Sequence, residues 1–88
     1  MSAFTVTFVT KRDCPLCARA EPIVMRWTSR LGAPLERVYI EDEPEMKQLF
    51  SERVPVVLGP DGSVVAEGSI SSARLALALG RAKLAGSL

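Results

Sequence analysis

The two cysteines of this chain are close together, in the segment Cys14-Pro15-Leu16-Cys17, and they are its only cysteines. A strand-like run over residues 4–10 precedes them, and a helix-like pattern follows. A thiol at the start of a helix faces unpaired N–H groups and the positive end of the helix dipole, which favour the thiolate. Because the thiolate is the species that attacks a disulfide, the segment predicts thiol–disulfide exchange. We expect Cys14 to be the more ionised sulfur and Cys17 the more buried one.

The amino-acid composition excludes several kinds of catalytic and metal-binding site. The chain has no histidine, which excludes imidazole acid–base catalysis and histidine ligation of metals. A structural zinc site needs four ligands, so two cysteines predict no metal site within one chain. An iron–sulfur cluster held between two chains stays open as an alternative. The net charge is only +1. It argues against a broad surface for nucleic acid or membrane lipid, although a local basic patch is compatible with it.

Length and leader signals predict where the chain would act. Eighty-eight residues suffice for one small domain, and we expect residues 1–88 to form it. No apolar run approaches the roughly 18 residues that span a bilayer, and the first residues lack the basic segment of a signal peptide. We therefore expect a monomer in the cytoplasm. Cytosolic thiol pools keep cysteines reduced, so a CxxC pair there is more often catalytic, redox-sensing or metal-binding than structural.

The elements that would position the cysteines follow from the pattern of apolar residues. Apolar and β-branched runs predict four strands, over residues 4–10, 35–40, 54–58 and 63–66. Helical spacing predicts three helices, over residues 15–31, 44–52 and 72–85. The order is β-α-β-α-β-β-α, in which the two β-α-β steps favour parallel strands. The turn over residues 59–62 favours an antiparallel hairpin of the last two strands, which gives an α/β domain with a mixed sheet.

Apolar stripes on two helices predict which faces are buried. Leu75, Leu79 and Leu84 should share one face of the last helix, and a serine in the preceding loop should cap it. Pro22 should kink the first helix, because proline removes a backbone hydrogen bond. The first helix's stripe consists of Leu16, Ala20, Ile23, Trp27 and Leu31.

These features together resemble the thioredoxin superfamily. The element order, the CPxC segment at a helix start and the dipeptide Val54-Pro55 before the third strand all match it. Residues 10–20 are similar to the active-site segment of glutaredoxins, and residues 42–58 resemble bacterial glutaredoxin-like small redoxins. The resemblance implies a thioredoxin-like fold, with a central four-stranded mixed sheet of order 2-1-3-4 flanked by helices.

The resemblance also implies roles for individual residues. Cys14 matches the nucleophilic cysteine of the family, and Cys17 matches the resolving cysteine. Lys11 matches the basic residue near the nucleophile and the glycine carboxylate of glutathione. Val54-Pro55 matches the dipeptide whose proline is cis, and the backbone of its first residue pairs with the thiol substrate.

Five further residues complete the expected substrate site. Arg12 lies in the loop before the dithiol, where it either tunes the thiolate and binds substrate or is a solvated charge. Pro15 stiffens the CxxC loop, and Leu16 replaces the aromatic residue usual in glutaredoxins. Gly68-Ser69 falls near the loop that holds the γ-glutamyl end of glutathione. That loop lacks the family's Gly-Gly pair and following Asp, so half of the glutathione site is visible.

The sequence therefore predicts a glutaredoxin-like thiol–disulfide oxidoreductase that works by dithiol exchange. Its substrate would be a disulfide-containing protein or a small mixed disulfide. Electrons would come from glutathione, from another low-molecular-weight thiol or from a reductase, and no tightly bound cofactor is expected. The alternative is a redox-silent or redox-sensing module of the same fold that binds a partner at the Val54-Pro55 edge.

Overall fold

The computed structural model describes residues 4–86, with side chains up to residue 84. The other residues of the expected domain 1–88 lie outside that range. The strands are β1 (Val6–Thr10), β2 (Leu35–Tyr39), β3 (Val56–Leu58) and β4 (Val64–Glu67). The helices are α1 (Pro15–Leu31), α2 (Pro44–Phe50) and α3 (Ser72–Gly86).

The strands form one sheet in the order β2-β1-β3-β4. β1 is parallel to β2, and β3 is antiparallel to both β1 and β4. The predicted element order and sheet order are confirmed.

The ends of several elements differ from the predictions by one or two residues. β1 and β3 each begin two residues late, and Pro55 before β3 has no N–H for a sheet ladder. β2 ends at Tyr39, because residues 40–42 form a 3-10 turn. α2 ends at Phe50, two residues early. β4 is shifted by one residue, next to a bulge between Val57 and Leu58.

β1 is buried on both faces, although the alternation of threonine with apolar residues over residues 4–10 predicts one better-buried face. Phe8 packs in a core cluster beneath α1 and α3, and Val9 packs in a second cluster beneath α2. The strand is central in the sheet, so helices cover both of its sides. The first cluster consists of Val6, Phe8, Ala20, Val24, Val57, Leu75 and Leu79. The second consists of Val9, Ile40, Phe50, Val56 and Leu58.

The buried face of α1 is rotated slightly from the predicted stripe. Leu16 is 43% exposed, so its assignment to the core was wrong. Trp27 packs half-buried against the first cluster, and its indole N–H donates a hydrogen bond of 2.7 Å to Ser72 Oγ at the start of α3. The helix continues through Pro22 to Leu31, and Gly32 caps its end with a φ of 67°. The residues buried on α1 are Cys17, Ala20, Val24 and Thr28.

α3 buries two of its three predicted leucines. Leu75 and Leu79 are fully buried, but Leu84 is 71% exposed. Leu84 lies five positions after Leu79, which rotates its side chain by about 140° around the helix. Ser71 Oγ accepts a hydrogen bond of 3.2 Å from Arg74 N, so a serine caps this helix as expected. Within the described residues no helix has the length and hydropathy that crossing a bilayer requires.

The leucines of α3 give a matched test of the fold. We expect Leu75→Ala to lower the free energy of unfolding by about 2–5 kcal/mol, because it leaves a cavity in the first core cluster. Leu84→Ala is the control, and it should change stability by no more than about 0.5 kcal/mol. Urea unfolding followed by Trp27 fluorescence measures both. Equal losses in the two variants would contradict the described packing of α3.

Candidate active site

Cys14 is the N-cap residue of α1. Its backbone is extended (φ −117°, ψ 111°), and its Sγ accepts a hydrogen bond of 3.3 Å from Cys17 N. Pro15 occupies the first helical position, where a missing N–H costs nothing. The first turn of α1 carries no acidic side chain. Cys14 is half-buried, so its sulfur combines access to solvent with the positive end of the helix.

Cys17 lies one helical turn after Cys14 and is buried, as expected. Burial raises the pKa of the Cys17 thiol, and its hydrogen bond with Cys14 acts in the same direction. The Thr10 side chain and the Lys11 backbone, which also contact the Cys17 sulfur, oppose that increase in its pKa. Both cysteines are thiols in this structure. The arrangement therefore presents one accessible sulfur above a buried, protonated one.

The accessible sulfur faces an open cleft of about 590 Å³. The loop before Cys14 forms one wall, and Asp13 in that loop has a left-handed backbone (φ 56°). Aspartate tolerates this conformation better than most residues do. Lys11 is exposed and lines the cleft, as its predicted role requires. The cleft is lined by Thr10, Lys11, Arg12, Asp13, Cys14, Pro15, Cys17, Ala18, Glu21 and Tyr39.

Arg12 also lines the cleft, but its charge is held by the chain itself. Its guanidinium donates to both carboxylate oxygens of Asp42, at 2.9 and 3.3 Å, and lies 4.3 Å from the centroid of the Tyr39 ring. Its backbone N–H donates to Glu41 at 2.9 Å. The Arg12 guanidinium holds the pKa of Asp42 below its usual value. Arg12 thus ties the dithiol loop to the end of β2, a role that the sequence did not reveal.

Tyr39 and Glu21 are site residues that sequence reasoning missed. Tyr39 ends β2, and the parallel pairing of β1 with β2 places Thr10 opposite Tyr39 at one edge of the sheet. That edge is where the dithiol loop begins, so a predicted parallel pair could have identified Tyr39. Glu21 lies on α1 and forms an ion pair of 2.7 Å with Arg37 of β2. No local sequence signal identifies that contact.

Val54-Pro55 lies on the other side of the dithiol loop. The peptide bond between them is cis, as expected. Pro55 immediately precedes the pair Val9–Val56, so it lies at the sheet edge where β1 ends. Neither Val54 nor Pro55 lines the cleft. The Val54 N–H already donates to Phe50 O at 3.1 Å, so a substrate backbone would have to use the Val54 carbonyl.

Gly68 and Ser69 are only partly beside the site. Gly68 N donates to Pro55 O at 2.9 Å, which fixes this loop against the cis proline. Ser69 lines a separate cavity of about 270 Å³ between β4 and α3. Arg53 and Glu67, which flank the two loops, form a bidentate ion pair at 2.8 and 3.2 Å. The structure therefore ties the two loops together but leaves them, with the exposed Leu16, outside the cleft wall.

Among the described residues, no group of three or more His, Cys, Asp or Glu side chains is placed to hold a metal ion.

Comparison with known families agrees with this arrangement. The family described as "Glutaredoxin-like domain (DUF836)" matches residues 5–81, which include the dithiol, the cis proline and most of α3. The chain belongs to this glutaredoxin-like family. The search of curated proteins returned no match.

Solved structures show that the fold of this glutaredoxin-like protein is thioredoxin-like. A structural-genomics target protein from X. campestris superposes with a TM-score of 0.74 at 23% identity, covering 88% of this chain and 97% of that one. Thioredoxin 1 from Thermosipho africanus superposes with a TM-score of 0.71 at 12% identity, covering 96% and 99%. A protein from Nitrosomonas europaea gives 0.70 at 15% identity, covering 88% and 92%.

The burial of Cys17 predicts a distinct pH dependence. In the Cys14→Ser variant, alkylation of Cys17 by iodoacetamide should require a higher pH than alkylation of the same variant unfolded in urea. The reason is that burial raises the pKa of this thiol, so the reactive thiolate forms only at more alkaline pH. Mass spectrometry across a pH series measures the rate. Coincident pH profiles for the folded and unfolded variant would show that Cys17 is not buried in solution.

Proposed function

We propose that this glutaredoxin-like protein is a dithiol–disulfide oxidoreductase in which Cys14 is the nucleophile and Cys17 the resolving thiol. The observation that carries the proposal is the Cys14 sulfur, which caps α1, accepts the Cys17 N–H and opens into the cleft. A sulfur at a helix start faces unpaired backbone N–H groups, a setting typical of nucleophilic cysteines in exchange proteins. The family match is compatible with redox chemistry and does not name a reaction.

Exchange proceeds in two steps. The Cys14 thiolate attacks one sulfur of a substrate disulfide, forms a mixed disulfide and releases the other sulfur as a thiolate. Cys17 then loses its proton and attacks the Cys14 sulfur, which releases the second substrate thiol and leaves a Cys14–Cys17 disulfide. Two electrons pass from the protein to the substrate. Because burial raises the pKa of Cys17, this second thiol stays protonated until the mixed disulfide is in place.

A thiol or reductase outside the chain restores the dithiol. The exposed Lys11 ammonium in the cleft suits the carboxylate of a small thiol such as glutathione. We do not assign that role to Arg12, since Asp42 and Glu41 already neutralise its charge. We further propose that the protein works as a monomer in the cytoplasm, where thiol pools keep both cysteines reduced.

Turnover by cysteine variants tests the proposal. The substrates are a mixed disulfide of glutathione with a small thiol and a protein disulfide, each supplied with a thiol reductant. Cys14→Ser should reduce turnover of both substrates to the uncatalysed rate. Cys17→Ser should lose protein disulfide reduction and accumulate the mixed disulfide on Cys14, which a mass increase reports. Ser29→Ala, an exposed change elsewhere on α1, is the matched control and should keep full activity.

Three results would overturn the proposal in whole or in part. Inactivity of the folded wild-type protein toward every disulfide tried would favour the alternative of a redox-silent binding module. Full activity of Cys14→Ser would place the nucleophile elsewhere. Loss of activity only with Cys14→Ser would indicate monothiol exchange on small mixed disulfides and would remove Cys17 from its assigned role.

A further inference from the structure

α3 has two apolar faces, and only one of them packs against the protein. Leu75 and Leu79 fill the first core cluster. On the opposite face Leu77 is 60% exposed and Leu84 is 71% exposed. Here we name an outer seam, formed by Ala73, Leu77, Gly80 and Leu84. Its spacing of four, three and four residues is the a/d spacing by which helices pair in coiled coils.

The outer seam has room for side chains of another helix. A Cβ placed on Gly80 would meet nothing within 4 Å, so the space between the two exposed leucines is open. The end of α1 forms a second wall, because Leu31 lines a groove of about 410 Å³ together with Leu77 and Leu84. Gly80 weakens the helix slightly. In return, it leaves a gap between Leu77 and Leu84 that can accept a side chain of a second helix.

The charges beside the seam indicate the chemistry of its occupant. Arg74 and Arg81 each follow a seam residue directly, and both are exposed. α3 carries no acidic residue over its whole length. Arg81 and Lys83 also line the groove itself, where Lys83 Nζ donates to Leu31 O at 3.0 Å. An apolar groove with cationic flanks complements an apolar stripe with acidic flanks.

We propose that the outer seam docks an amphipathic α-helix of a partner protein, with apolar residues at its a and d positions and acidic residues at its e and g positions. A second copy of this chain is a poor occupant, because pairing two α3 seams would bring their arginine flanks together. The groove lies at Leu31, the end of α1 farthest from Cys14. The 17 residues of α1 put about 25 Å between them. The proposal is therefore independent of the redox function, and a docked helix would leave the dithiol cleft open.

Two synthetic peptides of equal length test this recognition on the full chain. Both carry leucine at a and d, and they differ only in having glutamate or lysine at e and g. In amide NMR titrations the glutamate peptide should bind at least about tenfold more tightly than the lysine peptide, because the flanks of the seam are cationic. Shifts should concentrate on residues 73–84 and Leu31. Raising the salt from about 0.05 M to about 0.5 M should weaken binding.

Variants on the two sides of the sheet provide the controls. Leu77→Ser and Arg81→Glu should each weaken the glutamate peptide about tenfold or more, the first by removing a knob and the second by reversing a flank. Leu49→Ser is the matched control, because Leu49 is 61% exposed on α2, on the other face of the sheet. It should leave binding unchanged. Arg81→Glu changes an exposed charge, so it keeps the test valid if Leu77→Ser fails to fold.

Several outcomes would overturn the proposal. Equal binding of the two peptides would show that the seam does not prefer an acidic helix. Amide shifts confined to the dithiol cleft would show that the peptide binds there and not at the seam. Binding to vesicles of phosphatidylcholine and phosphatidylglycerol, with no binding of the glutamate peptide, would make the seam a lipid surface. Self-association that Leu77→Ser abolishes would make a second copy its occupant.

Discussion

The hydrogen bond from the Cys17 N–H to Cys14 Sγ is the interaction on which this site depends. It fixes the Cys14 sulfur at the first turn of α1, where backbone N–H groups point at it. Three local features produce it. Asp13 turns the chain through a left-handed conformation, Cys14 keeps an extended backbone, and Pro15 starts the helix without an N–H of its own. A helix beginning one turn later would leave the sulfur in an ordinary loop.

β1 places the start of α1 at the end of the sheet where the cleft forms. It pairs in parallel with β2 and antiparallel with β3, so the end of β1 meets the end of β2 and the start of β3. The cleft residue Tyr39 and the cis Pro55 therefore lie on either side of the same loop. The ion pair of Arg12 with Asp42 joins the dithiol loop to the residues after β2. The ion pair of Arg53 with Glu67 joins the loop before β3 to the end of β4. Burial of β1 on both faces gives the whole edge a rigid base.

Much of this architecture was predictable because the signals are local. The order of strands and helices follows from apolar periodicity, and the position of Cys14 follows from a strand, a short loop and a proline. Tertiary contacts decided the rest. The partners of Arg12 lie about thirty positions away in the sequence, and no local pattern indicates them. The burial of Val9 required knowing that β1 is central. Leu84 is exposed because its spacing of five positions from Leu79 does not match the helical repeat, although the two were predicted to share one face.

The distribution of charge over the folded surface was the property least predictable from the sequence. A net charge of +1 argues against a broad charged surface and is compatible with a local basic patch, but it does not indicate where such a patch lies. In the fold, α3 is basic and apolar on its outer side, whereas Glu41 and Asp42 gather beside the dithiol loop and neutralise Arg12. The two ends of α1 thus differ in character, with a half-buried sulfur beside a cleft at one end and a cationic, apolar groove at the other.

The central claim is that the start of α1 presents Cys14 as the accessible nucleophile and keeps Cys17 buried one helical turn away, and alkylation kinetics test it most directly. The Cys17→Ser variant isolates the Cys14 sulfur and keeps the backbone N–H at position 17. At neutral pH, iodoacetamide should alkylate Cys14 in this folded variant at least about tenfold faster than it alkylates Cys17 in the folded Cys14→Ser variant, because Cys14 is accessible and Cys17 is buried. Equal alkylation rates for the two sulfurs in the folded variants would contradict the account.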